Sequence, residues 1–206
     1  MTYRSQVAVV YLLGFFLDLI NMFIASVAFP TMAHAFNTTP SALAWVSNGY
    51  IAGLTLAIPF SSLLSRRIGP KRVILLSLFL FSAASAAAGL SATLESLIAW
   101  RVVQGAGGGL LIPVGQALTW QQFKPHERAR LSSAVMLVAL LAPSCSPAVG
   151  GMLVQAFSWR WIFFATLPVA IVTFALACAW LKTEPSPINT TRTVNLSLLT
   201  DPLLRL

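Results

Sequence analysis

The chain has 206 residues, of which 57% are hydrophobic and only 9% are charged, and its mean hydropathy is +0.81. This composition leaves too few polar groups to cover the surface of a soluble globular domain, so a membrane protein is expected. The formal net charge of +8 is spread over separate loops rather than gathered in one patch, which argues against a nucleic-acid partner.

Six apolar spans follow one another along the chain. Each is close to the roughly 20 residues that a helix needs to cross a bilayer. The sequence therefore predicts an all-α membrane protein, with a six-helix transmembrane bundle in residues 1–181 and a cytoplasmic linker or tail in residues 182–206. The spans cover residues 7–29, 43–64, 73–90, 96–118, 131–157 and 161–181.

The basic residues are distributed unevenly about these spans. All Lys and Arg residues except Arg101 and Arg160 lie before span one, between spans two and three, between spans four and five, or after span six. These segments share one end of the predicted bundle. Cytoplasmic loops of membrane proteins carry an excess of Lys and Arg, so we expect both termini to lie in the cytoplasm.

Two spans contain polar side chains that are costly in hydrocarbon. Span one contains Asp18 and Asn21, and span four contains Arg101 and Gln104. A charge at the centre of a bilayer costs about 2.5 to 3.5 kcal/mol on insertion scales and is normally turned toward a partner or a watered cavity. At about 1.5 Å per residue, Asn21 and Arg101 lie at the same depth, with Asp18 within reach of a long side chain if the two helices are neighbours.

We hypothesise that Asp18 is a protonatable group whose charge state is tuned by Arg101. Together with Asn21 and Gln104 these residues would line a proton and substrate pathway. The alternative is a purely structural ion pair or hydrogen bond between two helices.

Small residues and prolines predict where helices pack closely or bend. Gly105 and Gly109 in span four form a pair spaced four residues apart, which allows two helix backbones to approach each other. Span five contains two prolines followed by two glycines, and proline removes backbone donors, so we expect a bend that serves gating. These four residues are Pro143, Pro147, Gly150 and Gly151.

Three segments carry motifs of a known family. Residues 97–109 read Leu-Ile-Ala-Trp-Arg-Val-Val-Gln-Gly-Ala-Gly-Gly-Gly and resemble the fourth-helix motif of the major facilitator superfamily. Residues 147–151, Pro-Ala-Val-Gly-Gly, resemble the end of the fifth-helix motif of its drug/proton antiporters. Residues 158–164, Ser-Trp-Arg-Trp-Ile-Phe-Phe, are similar to the start of helix six in the fourteen-helix drug antiporters. The resemblance implies the N-terminal six-helix domain of such a transporter, in a bacterial inner membrane.

The loop between spans two and three departs from the family pattern. Residues 62–71 align with Gly-x-Leu-Ala-Asp-Arg-x-Gly-Arg-Lys and place Arg66 where the family has Asp, while Gly69, Lys71 and Arg72 keep a tight basic turn. The resemblance implies that the family's carboxylate helps to latch two halves of the transporter in one state. A topogenic role for this loop is therefore the alternative to a switching role.

The first helix departs as well. Asn21 stands where the drug antiporters have Asp, and Asp18 lies three residues earlier, on nearly the same helical face. We expect Asp18 to take the place of that carboxylate.

The resemblance implies a secondary active transporter of half length, which would export lipophilic or cationic organic compounds in exchange for protons. A second six-helix half, from a homodimer partner or a separate chain, would then be needed. The alternative is a remnant or a membrane-embedded interaction module that does not transport. We expect no enzyme, metal or cofactor, because the sequence shows no nucleophile and base constellation and no cluster of metal ligands.

Overall fold

The computed structural model describes residues 2–183, which are helical almost throughout. Six segments of this part of the chain are long and apolar enough to cross a membrane, so the predicted six-helix membrane bundle is confirmed. From residue 184 onward the predicted tail lies outside the described residues. The helices are α1 (Tyr3–Val27), α2 (Phe29–Phe36), α3 (Pro40–Ile68), α4 (Pro70–Gly89), α5 (Leu94–Gln122), α6 (Arg128–Ala156), α7 (Trp161–Phe164) and α8 (Leu167–Trp180), with a 3₁₀ turn at Pro125–Glu127.

Local sequence explains where the long helices begin. The Thr39 hydroxyl accepts from the Ala42 amide at 3.3 Å, and Pro40 follows at the first helical position of α3. Thr93 and Ser96 form a reciprocal capping box at the start of α5. Both devices satisfy amide groups that a helix start would otherwise leave unpaired.

Gly69 makes the sharp connection between α3 and α4. Its φ of 86° and ψ of 151° lie in a region that is accessible almost only to glycine, and Pro70 starts α4 directly afterwards. The predicted tight turn between spans two and three therefore depends on this one residue.

Helix α5 is the central helix, and its glycines let its neighbours approach it. A Cβ atom at Gly105 or Gly109 would overlap the backbone carbonyl oxygen of Tyr50 or Leu54 on α3. On another face, a Cβ at Gly107 would come within 2.9 Å of the Ser77 carbonyl oxygen on α4. Helix α5 is thus in direct backbone contact with both α3 and α4.

Helix α6 is the least covered of the long helices. It continues as one helix from Arg128 to Ala156 through both prolines. Gly150 packs against Ile24 and Val27 of α1, whereas Gly151 has no atom within 4 Å of the position of a Cβ. The outer faces of α3 and α6 are apolar and exposed, with Leu56, Phe60 and Leu63 on α3 and Met136, Leu137, Leu140 and Met152 on α6.

Two larger apolar cores stabilise the two ends of the bundle, and a smaller cluster of Leu17, Tyr50, Phe81 and Ala170 lies between them. One core contains Val10 of α1, Ala57 of α3 and Leu111 of α5. The other contains Ile24 of α1 and Leu43 of α3, together with Leu97, Trp159 and Phe163. We call the first end, which also carries Arg4 and Lys71, the basic end. The predicted polar residues of α1 and α5 lie between the two cores.

Candidate functional site

Arg101 is fully buried and links three helices. Its Nε donates to the Val46 carbonyl oxygen of α3 at 3.0 Å. Its Nη1 donates to Asn21 Oδ1 of α1 at 2.7 Å and to Gln104 Oε1 of α5 at 2.9 Å, and its Nη2 donates to the Asn21 carbonyl oxygen at 3.2 Å. Charge-assisted hydrogen bonds of this kind are about twice as strong as neutral ones, so the guanidinium is well held.

Asp18 is also buried, with 2% of its surface exposed, but it has a different partner. Its Oδ1 accepts a hydrogen bond from the Tyr50 hydroxyl of α3. Within residues 2–183 the one ion pair closer than 4.0 Å is Arg4 with Glu127, at 2.7 Å at the basic end. Asp18 and Arg101 are therefore close without forming a salt bridge.

Tyr50 lies between the two charged side chains. The Cζ atom of Arg101 stands 4.3 Å from the centre of the Tyr50 ring, while the hydroxyl of that ring binds Asp18. A cation over an aromatic face is attracted to it by about 0.5 to 2 kcal/mol, with the larger values at desolvated sites. The contact that the sequence predicted between Asp18 and Arg101 is thus mediated by an aromatic ring.

Gly108 makes room for this arrangement. A Cβ atom at this position would overlap Asp18 Oδ1 and would lie 3.1 Å from the Tyr50 hydroxyl oxygen. Neither Tyr50 nor Gly108 was selected from the sequence as a site residue. Tyr50 could have been found because it places a hydroxyl in the middle of an apolar span, where it needs a hydrogen-bond partner. Gly108 gives no such signal, because it is one of three consecutive glycines.

Asn21 and Gln104 contribute two further donors. Arginine can only donate, so both amides turn their oxygens toward Arg101 and their NH₂ groups away from it. Asn21 Nδ2 and Gln104 Nε2 are buried and have no hydrogen-bond partner among the described residues. A buried donor without a partner costs about 1–3 kcal/mol, which favours a hydrogen-bond acceptor at this place.

The other predicted residues lie away from this cluster. At the basic end, Lys71 Nζ donates to the Cys178 carbonyl oxygen of α8 at 2.9 Å. Arg66 borders a cleft of about 180 Å³ that includes Val114 and Gln121 of α5, and Arg72 is exposed. In the part of the chain that the structure describes, no hydrogen bond or ring contact of the cluster comes from α6, which holds Pro143 and Pro147.

The cluster brings together side chains that can carry a charge or donate and accept hydrogen bonds. It contains one carboxylate, one guanidinium, one phenol and two amides, all in the hydrophobic part of the bundle. Over residues 2–183, no group of three His, Cys, Asp or Glu side chains could hold a metal ion.

Comparison with known proteins gives a family and a fold. The sequence profile described as Major Facilitator Superfamily matches residues 11–204. The probable multidrug resistance protein EmrY of Escherichia coli (strain K12) is 34% identical over 180 residues, which are 86% of this chain and 35% of that protein. The putative multidrug resistance protein MdtD of Yersinia enterocolitica is 37% identical over 191 residues, 92% of this chain and 39% of that protein. The chain thus spans little more than a third of the length of these relatives.

Solved structures share the fold at low sequence identity. A D-xylose–proton symporter superposes with a TM-score of 0.77 at 16% identity, over 98% of this chain and 54% of the other. The peptide transporter POT, solved in complex with sulfate, gives 0.74 at 14% identity, over 95% of this chain and 44% of the other. The six-helix fold therefore matches about half of each of these two solved chains.

Proposed function

Because this chain belongs to the Major Facilitator Superfamily, we propose that it forms one six-helix half of a secondary active transporter that exports lipophilic or cationic organic compounds in exchange for protons. The observation that carries this proposal is the buried cluster of Asp18, Tyr50, Arg101, Asn21 and Gln104. Ionisable groups inside a membrane are costly, and where they occur they mark ion or substrate pathways.

Asp18 is the proton-binding group in this proposal. Of the described acidic residues it alone is buried in the bundle, since Glu95 is exposed and the Glu127 side chain is 27% exposed at the basic end. A carboxylate that can exchange one proton changes the charge of the cluster by one unit. A change of that size in a low-dielectric site is sufficient to bias two arrangements of the helices.

The substrate class rests on the relatives and on the composition of the open faces. Both relatives described above carry multidrug resistance in their names. Exposed Met, Leu and Phe side chains on α3 and α6 provide adaptable apolar contact for varied organic molecules. The free amide donors of Asn21 and Gln104 would add polar contacts for an oxygen acceptor.

A second six-helix half completes the pathway in this proposal. Transporters of this class bind substrate between two repeats and rock one repeat against the other. A second copy of this chain or a different polypeptide would supply the other half. The open apolar faces of α3 and α6 are the surfaces that would meet it or the lipid.

The location follows from charge and from the relatives. The relatives described above come from bacteria, and the Lys and Arg residues concentrate at the basic end. We propose a bacterial inner membrane with the basic end, and hence both termini, in the cytoplasm.

A different candidate is a membrane-embedded module that no longer transports. Arg66 in place of the family's loop carboxylate and Asn21 in place of its helix-one carboxylate favour this candidate. Such a module would keep the fold and the Arg101 hydrogen bonds but would lack coupling.

Flux measurements separate the two candidates. Proteoliposomes that contain only this chain would be loaded with a fluorescent lipophilic cation and given a pH gradient. Transport predicts gradient-driven flux that is abolished in Asp18→Asn and Arg101→Lys and is retained in the matched controls Glu95→Gln and Arg67→Lys, which change exposed residues of the same types. Absence of flux in the wild type, with six helices inserted, would favour the module.

A further inference from the structure

Tyr50 is the side chain through which the cluster is connected across helices. It is fully buried on α3, and its hydroxyl donates to Asp18 Oδ1 of α1. The Asp18 backbone oxygen lies 3.5 Å from the same hydroxyl, at the outer limit of a hydrogen bond. The phenol therefore has two acceptors within reach on a single residue.

The face of the Tyr50 ring, rather than its hydroxyl, contacts Arg101. The guanidinium carbon lies 4.3 Å from the Tyr50 ring centre and 5.8 Å from that of Phe163. Arg101 also bonds the Val46 carbonyl oxygen, one turn before Tyr50 on α3. Arg101 of α5 thus holds α3 at two adjacent points, one of which is the ring.

Close packing fixes the position of Tyr50. The Tyr50 carbonyl oxygen lies directly against Gly105, and its hydroxyl occupies the space that Gly108 leaves. The backbone of Tyr50 is therefore held by α5, and its fully buried ring is enclosed by its neighbours. A change at Asp18 would therefore act on Tyr50 first through the hydrogen bond of its hydroxyl.

We propose that Tyr50 is a positioning residue that transmits the protonation state of Asp18 to Arg101, and so to the contact between α3 and α5. When Asp18 is charged, donation from the phenol to the carboxylate enriches the ring in electrons and strengthens its attraction for the guanidinium. When Asp18 binds a proton from water, the phenol turns to the Asp18 backbone oxygen or accepts from the new carboxylic O–H. The ring then holds Arg101 less strongly.

Tyr50 keeps its own proton throughout, and the proton on Asp18 returns to water when the carboxyl ionises. The inference rests on the proposed function, in which Asp18 binds the transported proton. It goes further by naming the route from that event to the helix contact.

No other ionisable group in the described part of the chain faces Asp18 at this level. Helix α3 contributes Tyr50 and α5 contributes Arg101. The cysteines of α6 and α8, Cys145 and Cys178, are exposed. Arg160, just before α7, bonds the Ser91 carbonyl oxygen at the opposite end, and His34 of α2 is exposed.

Infrared spectroscopy tests the connection from Asp18 to Tyr50. The chain has only three tyrosines, so spectra of the full chain in lipid bilayers with ¹³C-labelled tyrosine rings can be assigned with Tyr3→Phe, Tyr11→Phe and Tyr50→Phe. On acidification we expect the carboxyl band of Asp18, identified by its loss in Asp18→Asn, to appear together with a shift of one tyrosine band. That shift should be lost in Asp18→Asn and Tyr50→Phe and retained in Tyr11→Phe, the matched change at a second buried tyrosine.

Nitrogen NMR tests the connection from Tyr50 to Arg101. With ¹⁵N-labelled arginine, the side-chain signals of Arg101 are identified by their loss in Arg101→Lys. We expect them to shift over the pH range in which the Asp18 band appears, and we expect this shift to be lost in Tyr50→Phe and retained in Tyr11→Phe. An Arg101 shift that persists in Tyr50→Phe would overturn the proposal, because coupling would then pass directly through space.

Two other results would also overturn it: no Asp18 carboxyl band at any pH, or an Asp18 band without a tyrosine shift. The wild-type and Asp18→Asn spectra decide the first connection even if Tyr50→Phe does not fold. These measurements require no flux, so failure of transport and failure of the Tyr50 route are distinguishable.

Discussion

At the scale of single residues, Arg101 is stabilised in the membrane by neutral oxygens and an aromatic ring. Val46, Asn21 and Gln104 provide four accepting bonds, and Tyr50 covers one face of the guanidinium. Lysine has three donors around a point charge and no planar fork. Arg101→Lys therefore keeps the charge and loses the geometry, which makes it a sharper test than removal of the whole side chain.

Gly108→Ala is predicted to disrupt the Asp18 and Tyr50 pair. The added Cβ overlaps Asp18 Oδ1, and overpacking of this kind costs about 1–3 kcal/mol. We expect a lower melting temperature in detergent and loss of the Asp18-linked tyrosine band. Gly151→Ala is the matched control, because nothing lies within 4 Å of its Cβ position. Equal melting temperatures for the two variants would contradict the assigned role of Gly108.

The polar residues of the site could be predicted from the sequence, but their pairing could not. Asp18, Asn21, Arg101 and Gln104 stand out because ionisable and amide side chains are rare in apolar spans. Which of them meet depends on the rotation of each helix about its axis, which the spacing within a single helix does not determine. A buried tyrosine such as Tyr50 also looks like an ordinary core aromatic until its neighbours are known.

At the scale of helices, the contact between α3 and α5 depends on glycines, which have no side chain to separate the two backbones. Gly105 and Gly109 face carbonyl oxygens of α3, and Gly53 of α3 faces the Val102 carbonyl oxygen of α5. The sequence indicated close packing through the spacing of Gly105 and Gly109. It did not indicate that Gly107 serves a different helix, α4.

Gly109→Ala is predicted to weaken the α3–α5 contact more than Gly115→Ala. The Cβ at Gly109 overlaps the backbone carbonyl of Leu54, which cannot yield, whereas at Gly115 the nearest atom is Tyr11 Cδ2 at 3.0 Å, in a side chain that can adjust. We expect a cost of about 1–3 kcal/mol or more for Gly109→Ala. Thermal unfolding in detergent, followed by size-exclusion chromatography, measures the difference. The reverse order of stabilities would contradict the contact.

Gly69→Ala is predicted to strain the connection between α3 and α4. A residue with a Cβ at φ 86° and ψ 151° costs about 1–3 kcal/mol. Gly14→Ala is a useful comparison, because it adds bulk against Leu111 without unusual backbone angles. The two variants should be compared by melting temperature and by protease cleavage in residues 66–72. We expect faster cleavage in Gly69→Ala alone.

At the scale of the whole molecule, charge predicts the orientation in the membrane. In a background of Cys145→Ser and Cys178→Ser, three variants would each carry one cysteine, at Thr38, at Ser158 or at His126. An impermeant thiol reagent added to intact cells is expected to label the first two positions and to leave the third unlabelled. Labelling at His126 alone would reverse the proposed topology.

In the described part of the bundle an apolar core lies at each end, and a smaller apolar cluster around Tyr50 lies between them. Four long helices, α1, α3, α4 and α5, contribute to both end cores, and Arg101 joins α1, α3 and α5 at the level of Asn21 and Val46. Because this one guanidinium bonds three helices at once, a shift of any one of them at this level must lengthen at least one of its hydrogen bonds.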